Sequence, residues 1–209
     1  MVIANPDIER YILSLNMEED EVLRDMERLA LTRHFPIVGP LVGKLLCQLT
    51  LLMEARSILE MGSGYGYSAY WFAKGLKDGG RVILTETSPQ NLELAKGFFR
   101  KGKMEDKAIF ELGDALDIID RLPGEFDIIF VDVEKEQYPK VYHKALPHLK
   151  VGGLMITDNI LWGGSVLTGD ESPSTRGIKE YTRLIYSTPN LMTTILPIRD
   201  GVSISLKLS

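Results

Sequence analysis

The segment SILEMGSGYGYS, residues 57–68, decides the fold of this chain. Its first five residues form a short apolar run, which is typical of a buried strand, and three glycines follow before a helical pattern begins. From this point to the C-terminus, short apolar runs alternate with helical stretches. Strands that alternate with helices indicate βαβ units and a parallel sheet, so we predict an α/β protein.

Working outward from this segment, we predict seven strands, at residues 57–61, 81–86, 108–112, 126–131, 154–157, 192–197 and 202–208. The last two flank Arg199-Asp200-Gly201, a hairpin signal, so the sheet is expected to be mostly parallel with a C-terminal antiparallel strand. Residues 137–149 are predicted to form a helix, which a turn at Gly152 and Gly153 separates from the fifth strand. Residues 1–56 show a helical pattern, including a helix over 18–32, which Pro36, Gly39 and Pro40 interrupt before it resumes over 41–53.

Composition narrows the class of protein. The chain has 209 residues, of which 44% are hydrophobic and 25% are charged, as in an ordinary globular protein. We predict a single domain, 1–209, with 1–56 as a helical cap and 57–209 as the sheet unit. The single cysteine, Cys47, excludes a disulfide scaffold and a cysteine-based zinc site. No secretory signal and no long apolar run is recognisable, so we expect a cytoplasmic protein that does not enter a membrane.

The glycine-rich turn after the first strand has the features of a ligand site. Gly62, Gly64 and Gly66 let the backbone approach a ligand closely and present amide groups at a helix start. Glu86 comes 20 residues after Gly66, where a carboxylate can accept from both ribose hydroxyls. NAD is one candidate ligand. Glu60, however, favours a ligand with a cationic amino-acid tail over a pyrophosphate.

Acidic and amide side chains follow the third, fourth and fifth strands. Asp114 and Ala115 come after the third, where Asp114 could accept from an adenine amino group or cap the next helix. Asp132 follows the fourth strand, and Asp158 and Asn159 follow the fifth. If these two strands are neighbours, as we expect, their oxygen donors suit a hard divalent ion such as Mg²⁺. Helix caps or an ordinary turn are the alternative interpretation.

Two other residues stand close to this set in the sequence. Lys135 comes three residues after Asp132, and Trp162 comes three residues after Asn159. An isolated lysine is usually a solvated surface group. Trp162 could form a wall of a substrate site or simply belong to the core. The residues alone leave both questions open.

Four segments together resemble a known family: LEMGSGYGYSAYW (59–71), VDVEKEQY (131–138), GGLMITDNILWGG (152–164) and PIRDGVSISLK (197–207). They are similar to segments of class I S-adenosylmethionine-dependent methyltransferases, and in particular to the metal-dependent O-methyltransferases of the caffeoyl-CoA and catechol O-methyltransferase type. The similarity extends from about His34 to the C-terminus. It implies a Rossmann-like sheet with helices on both faces, S-adenosylmethionine as methyl donor, and Mg²⁺ or another divalent cation.

The resemblance also implies roles for individual residues. The methyl donor would be bound by Val38, Glu60, Gly62, Ser63, Gly64, Gly66, Ser68, Glu86, Asp114, Ala115 and Asp132. The metal would be bound by Asp132, Asp158 and Asn159. Lys135 would be the general base, assisted by Asp132, and Trp162 would contact the acceptor. Where the family often has a methionine two residues before the valine, this chain has Pro36, so the entrance to the donor site is expected to differ.

The function that this resemblance implies is methyl transfer to a hydroxyl of a small vicinal-dihydroxy aromatic. A homodimer through the N-terminal helices is also expected. One alternative is a tRNA 5-hydroxyuridine O-methyltransferase, because RHFPIVGP and EKEQYPK are similar to its segments and a basic run, 100–103 with Lys107, could contact phosphate. The net charge of −5 weighs against tRNA. A non-catalytic donor-binding subunit is a further alternative.

Overall fold

The computed structural model describes residues 5–15 and 20–209. In that part of the chain the helices are α1 (Pro6–Ser14), α2 (Glu21–Arg33), α3 (Gly39–Leu52), α4 (Tyr67–Gly75), α5 (Pro89–Lys101), α6 (Ala115–Ile119), α7 (Tyr138–Ala145) and α8 (Pro173–Ser187). The strands are β1 (Ser57–Met61), β2 (Arg81–Glu86), β3 (Ala108–Leu112), β4 (Phe126–Val131), β5 (Leu149–Thr157), β6 (Leu191–Leu196) and β7 (Val202–Lys207). The predicted start of the second helix, at Glu18, lies outside the described residues.

The strands form one seven-stranded sheet in the order β3-β2-β1-β4-β5-β7-β6. Strands β1 to β5 pair in parallel, and β7 is antiparallel to both β5 and β6. This confirms the predicted mostly parallel sheet with its C-terminal antiparallel strand. The strand order reverses between β1 and β4, which is where ligands bind in open α/β sheets. The expectation that β4 and β5 are neighbours is also confirmed.

Alternate residues of the central strands face two separate apolar cores, because successive side chains of a strand point to opposite faces. Ile58 of β1 and Ile128 of β4 pack against the helices of the N-terminal half. Leu59 and Ile129, the next residues along each strand, pack on the other side against α6, α7 and α8. Helices therefore cover both faces, as predicted.

The helix predicted over 137–149 is present, but its predicted end and the predicted turn at Gly152 and Gly153 were wrong. The helix α7 ends at Ala145, and β5 begins at Leu149, after a short 3-10 turn. Pro147 lies in that turn, and a proline cannot supply the amide that would continue an α-helix. The two glycines instead lie inside β5, where the pairing with β4 shifts register. Within the described residues, no helix is long and apolar enough to span a membrane.

Candidate functional site

A cleft of about 620 Å³ opens at the carboxyl ends of the parallel strands. Every predicted site residue lines it except Glu60 and Gly66. The segment from Phe35 to Val38, which leads into α3, covers one side of the cleft. Val38 is buried there, and Pro36 also lines the cleft.

Two glycines of the turn after β1 serve different purposes. Gly62 has φ 86°, and an added Cβ would lie 2.4 Å from the backbone oxygen of Asp132, so this turn touches the end of β4. Gly66 has φ 83° and begins α4, where an added Cβ would lie 3.0 Å from Ala95 Cβ. Gly66 therefore allows α4 to pack against α5 and does not line the cleft.

Glu60 lies beneath this turn and is completely buried. One of its carboxylate oxygens accepts from the Ser68 hydroxyl, while Oε2 and the neighbouring Ser63 Oγ have no hydrogen-bond partner in the described structure. Burial raises the pKa of Glu60 to about 7, although the hydrogen bond from Ser68 opposes this shift. Thr85 fixes the turn from β2, since its hydroxyl donates to the Glu60 carbonyl and accepts from the Gly62 amide.

Glu86 and Asp114 lie on the cleft wall formed by β2 and β3. Glu86 Oε1 accepts from the Ser88 amide at 2.7 Å, which orients the carboxylate at the end of β2. Asp114 caps α6, because its Oδ1 accepts from the Leu116 amide at 2.7 Å. The capping interpretation of Asp114 is thus confirmed, and the same residue still lines the cleft beside Ala115.

The predicted metal ligands lie together at the ends of β4 and β5. The Asp132 amide donates to the Met61 carbonyl, and the Asp158 amide donates to the Val131 carbonyl, so both turns continue the ladder of the sheet. Burial, and then the negative charge of Asp132, raises the pKa of Asp158 above its usual range. Over residues 5–15 and 20–209, no group of three or more His, Cys, Asp or Glu side chains could hold a metal. This set instead combines two carboxylates with the Asn159 amide.

Lys135 is buried at the same end of the cleft, with only 9% of its surface exposed. Its Nζ donates to Asp132 Oδ1 at 2.8 Å and to the Val133 carbonyl at 3.2 Å. It also lies 5.2 Å from the ring centroid of Tyr138 and 5.8 Å from that of Trp162. The alternative of a solvated surface lysine is excluded, because the fold encloses the side chain between a carboxylate and two aromatic rings.

Helix α8 holds the turn that carries Lys135. A Cβ added at Gly177 would lie 2.3 Å from the Lys135 carbonyl oxygen, so only glycine permits this contact. The arrangement presents one buried cation and two carboxylates to a cleft that Glu86 also lines, with Glu60 buried beneath its glycine-rich turn. Such a site can bind an adenosyl compound with an amino-acid tail and can remove a proton from a hydroxyl group.

Comparison with known proteins agrees with this chemistry. A family model described as O-methyltransferase matches residues 14–208. The chain belongs to the O-methyltransferase family. It is therefore an S-adenosylmethionine-dependent enzyme, and the family resemblance seen in its sequence is confirmed.

Several members of the family are similar to this O-methyltransferase over most of its length. Caffeoyl-CoA O-methyltransferase 1 of Eucalyptus globulus is 34% identical over 180 residues, which cover 80% of this chain and 73% of the plant protein. The O-methyltransferase from Bacillus cereus in complex with SAH is 28% identical, with a TM-score of 0.87 and coverage of 96% and 97%. TomG from Streptomyces achromogenes in complex with SAM is 27% identical, with a TM-score of 0.89 and coverage of 97% and 96%.

Asp200 is a site residue of this O-methyltransferase that sequence reasoning missed. Its Oδ1 accepts from the Gly163 amide at 2.6 Å, and its Oδ2 accepts from Asn159 Nδ2 at 3.4 Å. The carbonyl oxygen of Asp200 also accepts from the Leu161 amide. The sequence indicates only that Asp200 belongs to a hairpin turn, because its contacts depend on β7 pairing with β5.

Proposed function

We propose that this chain is a divalent-cation-dependent O-methyltransferase that methylates a hydroxyl of a small vicinal-dihydroxy aromatic. The observation that carries this proposal is the position of Lys135 Nζ, which lies 2.8 Å from Asp132 Oδ1 in the cleft that Asp158 and Asn159 also line. The residues proposed as proton acceptor, as oxygen ligands and as nucleotide-binding turn all line this one cleft.

The donor would occupy the end of the cleft next to β1 and β2. The buried Glu60 Oε2 and Ser63 Oγ lack partners, so they fit the charged amino-acid end of S-adenosylmethionine. Ser68 shares the Glu60 carboxylate, and Val38 borders the same end of the cleft. Gly62 and Gly64 line the cleft at the turn, where the absence of a side chain would leave room for the ligand.

The nucleoside would lie along the other wall. Glu86 would accept from the ribose hydroxyls with the carboxylate oxygen not used by Ser88. Asp114 and Ala115 would border the adenine. Asp132 would lie between donor and acceptor, since its backbone touches the glycine-rich turn and its side chain contacts Lys135.

Asp132, Asp158 and Asn159 would hold the divalent cation, with Mg²⁺ as the preferred ion. They fit such an ion because all three supply oxygen ligands, and because the negative charges of Asp132 and Asp158 oppose one another in this buried place, a repulsion that a divalent cation would relieve. When bound, the cation would stabilise the negative charge that develops on the acceptor oxygen.

Lys135 would act as the general base. Its neutral Nζ would take the proton of the acceptor hydroxyl, and Asp132 Oδ1 with the Val133 carbonyl would then hold the resulting ammonium. The acceptor oxygen forms a bond to the methyl carbon while the carbon–sulfur bond of the donor breaks. Trp162 would pack against the aromatic ring of the acceptor, because it faces the cleft beside Lys135. The remaining contribution of the protein is positioning.

The basic run of the tRNA alternative is partly engaged in intramolecular ion pairs. Arg100 pairs with Glu105, and Lys101 pairs with Glu21 and Asp25. Two cations of the run are thus neutralised within the chain, which disfavours this run as a phosphate-binding patch. A non-catalytic subunit is also disfavoured, because the buried pair of Lys135 and Asp132 has no purpose in simple donor binding.

We further propose one domain, 1–209, in which residues 1–56 mediate homodimerisation and 57–209 bind the donor. Helix α1 buries none of its residues, yet Ile8, Tyr11 and Leu15 expose 56%, 61% and 65% of their surfaces. A second copy of the chain would cover this apolar face. Light scattering should therefore give twice the chain mass, and Tyr11→Glu should shift the protein towards the monomer. A cytoplasmic location stays a prediction.

The decisive experiment measures donor consumption with catechols, a caffeoyl thioester and tRNA that lacks the modification. We expect turnover of dihydroxy aromatics with Mg²⁺, loss of turnover in excess EDTA, and recovery when Mg²⁺ is restored. Glu134→Gln is a matched control, because Glu134 lines the same cleft but is exposed to solvent. Full activity in excess EDTA would contradict the metal assignment, and turnover of tRNA alone would contradict the acceptor class.

A further inference from the structure

We infer that Tyr138 is a positioning residue of this enzyme, which fixes the Asp158–Asn159 turn through its hydroxyl and restrains Lys135 through its ring. Tyr138 begins α7 and is completely buried. Its hydroxyl donates to the Asp158 carbonyl at 2.9 Å, and its ring centroid lies 5.2 Å from Lys135 Nζ. One side chain therefore contacts both halves of the proposed reaction centre. The inference rests on the proposed function.

The hydroxyl acts on the turn that carries two of the proposed metal ligands. The Asp158 amide is held by the Val131 carbonyl, and the Asp158 carbonyl is held by Tyr138, so both sides of this residue are bonded. Asn159 follows with φ 57°, a left-handed conformation that costs energy for a residue other than glycine. Such a conformation persists where neighbouring contacts hold it, and the Tyr138 hydroxyl supplies one of them.

The ring acts on Lys135. The ammonium group has aromatic rings on two sides, Tyr138 and Trp162, and both attract a cation through their faces. The two rings differ in burial, because Tyr138 is enclosed in the core while Trp162 is half-buried at the start of a 3-10 turn. Tyr138 packs against Tyr181 with ring centroids 5.4 Å apart, which prevents the ring from moving away. Tyr138 is therefore the buried, packed ring that restrains Lys135.

Three variants separate the two contacts from a general effect on folding. Tyr138→Phe removes the hydroxyl and keeps the ring, whereas Tyr138→Leu removes both. Tyr181→Phe is the matched control, because it deletes a buried phenol hydroxyl of the same cluster that bonds Thr157 and not Asp158. For each protein, calorimetry measures the affinities for Mg²⁺ and for S-adenosylhomocysteine, urea unfolding measures stability, and kcat is measured at saturating Mg²⁺.

We expect Tyr138→Phe to weaken Mg²⁺ binding about tenfold, because residues that orient metal ligands have effects of this size. Its affinity for S-adenosylhomocysteine and its kcat at saturating Mg²⁺ should stay close to wild type. Tyr181→Phe should lose stability without a change in Mg²⁺ affinity. Tyr138→Leu should show the same loss of Mg²⁺ affinity. In addition, its kcat should be at least about tenfold below that of Tyr138→Phe, because Lys135 is no longer restrained by the aromatic ring at position 138.

Unchanged Mg²⁺ affinity in Tyr138→Phe, or an equal loss in Tyr181→Phe, would overturn the role of the hydroxyl. Equal kcat values for the two Tyr138 variants would overturn the role of the ring. If Tyr138→Leu does not fold, Tyr138→Phe and its control still decide the first contact. A wild-type protein that binds no Mg²⁺ in calorimetry would instead refute the proposed metal site, and this result is distinct from a failure of Tyr138 alone.

Discussion

Replacement of Glu60 by glutamine should make the donor-free protein more stable at alkaline pH. The pKa of Glu60 is raised from 4.5 to about 7, mainly by burial, and a shift of this size corresponds to about 3 kcal/mol. Because the raised pKa belongs to the folded state, the stability linked to Glu60 is fully present below pH 4.5 and is lost as the pH rises through 7. Glutamine keeps an acceptor for Ser68 and removes the buried charge.

Urea unfolding at pH 5 and pH 8 measures this effect. The wild type should lose stability between the two values, and Glu60→Gln should lose on the order of 2–3 kcal/mol less. Asp158 also has a raised pKa, caused by burial and by Asp132, so only the difference between the two proteins isolates Glu60. Glu134→Gln, at an exposed position of the cleft, should behave as the wild type does.

Donor binding tests the functional side of the same charge. If the Glu60 carboxylate holds the ammonium group of the donor, wild-type affinity for S-adenosylhomocysteine should fall about tenfold from pH 8 to pH 6, as the carboxyl group becomes protonated. Glu60→Gln should bind more weakly at pH 8 and show no such dependence, whereas Glu134→Gln should keep it. An identical pH dependence in Glu60→Gln and wild type would refute the reasoning.

Three further substitutions test the remaining assignments. Glu86→Ala should weaken donor affinity about ten- to a hundredfold, measured by calorimetry, with little change in kcat at saturating donor, because the half-buried carboxylate would bind the ribose. Lys135→Ala should lower kcat by about 10²–10⁴ with donor affinity intact. The loss should be smaller for nitrocatechol and at higher pH, because the acceptor then ionises without a base. Near-wild-type rates on all acceptors would refute the role of Lys135 as general base. Asp158→Ala should raise the Mg²⁺ concentration for half-maximal activity at least about tenfold, in a titration that a merely structural aspartate would leave unchanged.

Much of the fold could be predicted from the chain because the relevant signals are local. The apolar run and glycines of 57–68 predict the first strand, the turn and the helix after it, and β1 has the predicted bounds. The hairpin signal at Arg199-Asp200-Gly201 likewise predicts the antiparallel strand β7 correctly. Local reasoning failed at β5, where Pro147 ends α7 earlier than helical periodicity suggests and the glycine pair lies inside a strand. The decisive contact there is the shifted pairing with β4, which no local pattern reveals.

The candidate site divides in the same way. Which side chains follow each strand could be predicted from the chain alone, because the end of an apolar run and the turn residues after it are properties of a few neighbouring positions. The contacts of these side chains depend on the folded arrangement. Lys135 is buried because α8 packs closely against its turn at Gly177. Asp200 contacts Asn159 because β7 lies beside β5. Such contacts join residues about 40 positions apart, and their energy depends on strand order and packing, which chain-local patterns do not contain.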